Sequence, residues 1–189
     1  MSISPQPFVL PSSLRQIFLC CIQPADSNVG SPPHLLSALG FERAKRLGCY
    51  IGSRIASSET FNGFSIDSLC VSSYASVAFS HMGIRLNDNT LKPAIGAVYV
   101  ENVVGSLNYH SVNQTVRDQL SGLVSPNHVV YFATPAFCHM IATQIIELSG
   151  LGMSIPGTDS DGDDNLVLIE LYLRSGRVVL KKWAGGLED

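Results

Sequence analysis

The chain lacks any run of about 20 consecutive apolar residues, the length a helix needs to span a bilayer, so no transmembrane helix is expected. It also lacks an excess of positive charge. Twelve Lys and Arg stand against 15 Asp and Glu, a net charge of −3, which gives no electrostatic footprint for nucleic acid or an anionic membrane surface. The first residues do not place a basic segment before an apolar one, so a secretory signal is not expected. There is no internal repeat. CxxC is absent, and no C-x5-R follows Cys20 or Cys21, which removes the usual setting of a phosphatase-type cysteine nucleophile. The five cysteines, Cys20, Cys21, Cys49, Cys70 and Cys138, are odd in number and irregularly spaced, and four sit in apolar stretches. They read as small buried hydrophobes carrying reduced thiols, in an intracellular protein of the cytoplasm or nucleus.

What is present is globular. The sequence of 189 residues is 46% apolar and 14% charged, enough for one sizeable core. Residues 1–13 are expected to be a flexible leader, 14–184 a single domain and 185–189 a tail.

Arg15–Cys21, RQIFLCC, is short and apolar on both faces, as a central parallel strand requires. In the segment after it, Ala44, Leu47, Ile51 and Ile55 recur at helical spacing, Ser37 is a suitable N-cap, and Arg43, Lys45 and Arg46 fall on a solvated face. Phe64–Ser73 reads as a second strand, and Tyr74–Gly83 as a short helix ended by its glycine. An extended piece, AIGAVYVENVVG, precedes a helix marked by Val112, Val116, Leu120 and Leu123. His128–Thr134 is a third strand. The helix that follows has Thr134 as cap, Pro135 at its first position and Gly150 at its end. Two strands around Ser175-Gly176 close the chain as an antiparallel hairpin. Strands alternating with helices imply an α/β fold, three layers α/β/α, with a mainly parallel central sheet and an antiparallel edge hairpin.

Ligands of such sheets bind at the carboxyl ends of the strands. LSALGFERAKRLG resembles the L-T-x-x-G-x-x-Q-A-x-x-L-G segment of the histidine phosphatase superfamily, the phosphoglycerate mutase-like fold. Leu36, Ser37, Gly40, Ala44, Leu47 and Gly48 fit, and Arg43 replaces the usual glutamine. In order along the chain, IFLCCIQ, VSSYASVA, VYVENVVG and VVYFATPA resemble the family's strand-Arg-His-Gly, Ser-Ser-Pro-x-x-Arg-Ala, Leu-x-Glu-x-x-x-Gly and strand-Ser-His-Gly-Gly segments.

In that family the first histidine takes the phosphoryl group, which splits the transfer into two steps. Two arginines and a second histidine hold the oxygens, and a glutamate protonates the leaving group. Carried over by position, the first arginine is Cys21, the nucleophile Ile22, the glycine Gln23, the second arginine Val77 and the second histidine Thr134; only Glu101 persists. A hydrocarbon side chain at residue 22 has no lone pair with which to form phosphohistidine. His34, His81, His110, His128 and His139 do not fall at the carboxyl end of a strand beside an arginine motif.

The resemblance therefore implies a degenerate, non-enzymatic pseudophosphatase domain. It would serve as a protein-interaction or scaffold subunit with a protein partner, and assembly of several copies is left open. No cofactor, metal, nucleic-acid or membrane partner is expected. Two alternatives are a weak phospho-ligand binder, using Thr134, Ser73 and a helix N-terminus, and an active phosphatase with relocated residues. The loop DSDGDDN alternates Asp159, Asp161 and Asp163, but Asp164 stands where a calcium loop needs glycine, and Glu170 falls in a strand. Asn113 in NQT matches a glycosylation acceptor only by pattern. The strand RVVLKKW, with Trp183, is a candidate sheet edge open to strand addition.

Overall fold

In a computed structural model of the chain, residues 9–28, 35–55, 59–66, 69–86, 96–98, 109–150, 152–154, 166–174 and 177–184 are described. The elements in order are β1 (Gln16–Cys21), α1 (Ala38–Arg54), β2 (Phe61–Ile66), α2 (Leu69–Leu86), β3 (Gly96–Val98), α3 (Tyr109–Ser121), β4 (His128–Ala133), α4 (Pro135–Ser149), β5 (Gly152–Ser154), β6 (Leu166–Arg174) and β7 (Arg177–Ala184). They form one sheet of seven strands in the order β3-β2-β4-β1-β6-β7-β5.

β1 is central. It runs parallel to β4 on one side, Gln16 opposite His128 through Cys21 opposite Ala133, and antiparallel to β6 on the other. Every residue of β1 and of β4 is buried, which explains why neither shows the alternation of a half-exposed strand. The pleat then divides their side chains between two cores. Ile17, Leu19, Cys21, Val129 and Tyr131 pack with Val116 and Leu120 of α3 and Cys138, Ile141 and Ile145 of α4. Phe18, Cys20, Ile22, Val130 and Phe132 pack with Ala44, Leu47 and Ile51 of α1 and Tyr74, Ala78 and Met82 of α2. This is the α/β/α sandwich with a mainly parallel sheet that the strand–helix alternation implied.

Two helix–backbone approaches position the first layer. A methyl at Gly48 would collide with the carbonyl oxygen of Ala78, and one at Gly40 with the carbonyl of Asp26. Bare backbone at these two positions lets α1 lie directly against α2 and against the loop leaving β1.

Three sequence readings change. Leu69–Ser73 is the first turn and more of α2, where a strand was expected through Ser73. The run is apolar and small, fit for either state, and packing of Tyr74, Ala75 and Ala78 in the α1–α2 core selects the helix. Gly83 does not end that helix, which continues to Leu86. The hairpin of β6 and β7 is antiparallel as expected, but β7 is not the sheet edge along its whole length: Arg177–Val179 pair in parallel with β5, a three-residue strand too short to read from pattern. Glu101, His34 and the acidic segment Asp159–Asp164 lie outside the described residues.

Candidate functional site

The carboxyl ends of β1 and β4 meet at one end of the sheet. Their last residues, Cys21 and Ala133, are register partners, and the N–H of Ile22 extends the ladder by donating to the carbonyl of Ala133 at 2.9 Å. Ile22 is buried, with 4% of its surface exposed, in the same apolar cluster against which Val77 of α2 packs. Thr134 follows Ala133 as the N-cap of α4, without a capping bond from its side chain. Cys21, Ile22 and Thr134 thus stand at one end of the sheet, and Val77 packs against the cluster that holds Ile22.

Cys21 faces the α4 side. Its thiol donates to the carbonyl of Leu19 at 3.7 Å, and the Cys138 Sγ has the carbonyls of Cys20 (3.5 Å) and Ala133 (3.7 Å) within donating reach. Burial, first, and the contact with Cys21, second, push the Cys138 thiol well above its ordinary range, so it stays protonated. Burial does the same to Cys20. Cys20, Cys21, Cys49 and Cys138 are all free thiols.

The loop after β1 is held closely. The Gln23 N–H donates to Asp26 Oδ2 at 2.8 Å, and Gln23 Nε2 donates to the carbonyl of Leu166 at 2.9 Å, fastening the loop to β6. Asp26 closes a single 3-10 turn, Pro24–Asp26, and is 1% exposed. Arg43 of α1 reaches it, Nη1 to Oδ1 at 3.1 Å. Sequence reading placed Arg43 on a solvated face; the correction is that its guanidinium neutralises a buried carboxylate at the mouth of the sheet. The available signal was the glutamine that Arg43 replaces, a polar position inside an otherwise recognisable motif. Tyr74 lies behind this pair, fully buried, its hydroxyl without a hydrogen-bond partner in the structure. Burial keeps that phenol protonated far above its ordinary range.

In front of the pair, the start of α1 and the face of α2 enclose an open groove of about 550 Å³. Leu35, Leu36, Phe41 and Val77 form its apolar wall, with Ser37, Ser73 and Glu42 among the other lining residues. Leu35 and Phe41 are 53% and 45% exposed. Ser37 caps α1, its Oγ accepting from the Gly40 N–H at 2.9 Å and donating to the carbonyl of Ala25 at 2.7 Å. Among the described residues, no group of three or more His, Cys, Asp or Glu is placed to hold a metal ion, and no helix is long and apolar enough to cross a membrane.

Three histidines among the described residues, His81, His128 and His139, lie elsewhere. His81 Nδ1 is 2.9 Å from the Val77 carbonyl within α2, and His139 is on α4. His128 opens β4 at its amino end, 2.7 Å from Glu59 Oε2, and Glu59 also pairs with Arg15 at 2.8 Å. Glu170 is buried in β6, accepting from Gln16 Nε2 (3.1 Å) and the Tyr50 hydroxyl (3.2 Å), which removes it from any calcium loop.

A parallel core of β3-β2-β4-β1, an antiparallel β6 beside β1, and the motif order along the chain together fix the architecture. This is the α/β/α architecture with an antiparallel hairpin that the resemblance implied. The chain is similar at low identity to several solved structures. SixA of Agrobacterium tumefaciens, described as a candidate phosphohistidine phosphatase, shares 11% identity over 89% of this chain and 95% of its own, with a TM-score of 0.49. A mycobacterial glucosyl-3-phosphoglycerate phosphatase shares 17% over 91% and 99%, at 0.44. A protein called mycobacterial hydrolase 2 shares 16% over 93% and 92%, at 0.42. No family model and no curated protein matches the chain.

The solved structures to which the chain is similar are named as phosphatases or as a hydrolase, which stands against the expectation that the chain is not an enzyme.

Proposed function

We propose that this histidine phosphatase-fold domain binds a partner protein at the carboxyl end of its sheet. The observation that carries this reading is the apolar groove of Leu35, Leu36, Phe41 and Val77. It opens where the superfamily gathers cationic groups around phosphate, and Arg43, which follows the lining residue Glu42 on α1, is engaged by Asp26. Leucine and phenylalanine side chains left in water at a concave surface gain free energy when another apolar surface covers them. The groove's volume falls in the range that accepts a few side chains. An intracellular setting goes with this reading, supported by the free thiols Cys20, Cys21, Cys49 and Cys138.

The test is purification of the tagged full chain from its native source, with identification and stoichiometry of what accompanies it. The reading expects a defined protein partner at a fixed ratio; a chain that elutes alone overturns it. Hydrolysis of a generic aryl phosphate is measured on the same sample. Turnover abolished by Glu101→Gln would replace the binding reading with a catalytic one.

A further inference from the structure

We infer that the groove takes an apolar side chain flanked by a lysine or arginine, and turns away phosphorylated or acidic segments. This rests on the protein-binding reading above and adds the chemistry of the partner.

The argument is one of charge complementarity. The wall that would touch a ligand is hydrocarbon, from Leu35, Leu36, Phe41 and Val77, and the charged residue lining the groove is Glu42, a carboxylate. Two features that would draw an anion are engaged in part. The guanidinium of Arg43 is bound to Asp26, itself buried and fixed by the Gln23 N–H. In the first turn of α1, whose free N–H groups attract negative charge, the Gly40 N–H donates to the Ser37 side chain and the Phe41 N–H to the Ser37 carbonyl. A phosphate entering here would meet Glu42, and among the described residues no cation lines the groove. A lysine or arginine beside a leucine would meet Glu42 while its neighbour covers Phe41. The continuation of the apolar surface to Leu39, 48% exposed on the next face of α1, gives room for a second apolar side chain. The occupant is thus a short segment of another protein with paired apolar residues and an adjacent basic one.

The probes are three synthetic peptides of equal length: two leucines flanked by lysines, the same flanked by glutamates, and a phosphoserine-containing peptide. Amide chemical shifts of the ¹⁵N-labelled full chain are followed during titration. The lysine-flanked peptide is expected to move the amides of Leu35–Glu42 and Ser73–Val77, and to bind roughly 2- to 5-fold more tightly than the glutamate-flanked one, as a single exposed ion pair allows. Glu42→Gln should erase that preference without loss of fold, and Phe41→Ser should weaken binding by on the order of tenfold. Equal or tighter binding of the phosphoserine peptide, or no shift in these segments with any peptide, overturns the inference. The two readings fail separately. A native partner retained equally by wild type and Phe41→Ser overturns the groove chemistry and leaves protein binding standing, whereas a wild-type chain without a partner overturns protein binding itself.

Discussion

At the scale of single residues, the mouth of the sheet is organised by Asp26. One carboxylate accepts from the Gln23 N–H and from Arg43 while being almost wholly buried. Asp26→Ala would leave the Gln23 N–H without its partner, and a cost of about 1–3 kcal/mol is expected in urea unfolding. Arg43→Ala should cost at least as much, about 3 kcal/mol, because it leaves the buried Asp26 carboxylate without its neutralising charge, held by the Gln23 N–H. A second residue-scale prediction concerns Gly48. Gly48→Ala must push α1 from the Ala78 carbonyl, and a loss of about 1–3 kcal/mol is expected by the same measurement. The sequence made Gly40 and Gly48 visible only as members of a motif. The reason for them, backbone meeting backbone, is a tertiary fact that no local pattern carries. Arg43 was misjudged for the same reason: spacing on a helix tells which residues share a face, but not that a loop carboxylate 17 residues earlier folds over that face.

Among the elements, α1 is the most legible, with its cap and its apolar spacing written locally. Ser37→Ala removes a bond to the Gly40 N–H and one to the Ala25 carbonyl, and a loss of about 1 kcal/mol is expected by thermal or urea unfolding, with the groove side of α1 loosened. The boundary of α2 was not legible. Its opening residues are equally suited to a strand, and the outcome was decided by contact of Tyr74 and Ala78 with α1. β5 escaped notice because three residues hold too little periodicity to register, and its pairing with β7 is set from across the chain.

For the molecule as a whole, the two cores should show in alkaline titration. Burial holds the phenols of Tyr74 and Tyr131 protonated well beyond the ordinary value of about 10. The folded state therefore keeps protons that the unfolded chain releases. Stability is full below about pH 10 and falls as pH rises above it. The measurement is urea stability across this range, with Tyr131→Phe flattening the fall. Thiol labelling reads the same burial. Cys20, Cys21 and Cys138 should react with a maleimide only after denaturation, while the half-buried Cys49 reacts in the native chain.

β1 is the earliest strand in the chain, yet its two neighbours come from far downstream: β4 begins at His128 and β6 at Leu166. During translation, IFLCC must wait for more than half the polypeptide before gaining one flank and for most of it before gaining the other. Closing such long loops is entropically slow. In that interval an all-apolar ribbon has both hydrogen-bonding edges free. Nascent chains halted before Leu166 should engage holding chaperones, and those halted before His128, with both edges of β1 unpaired, should be the most prone to aggregate.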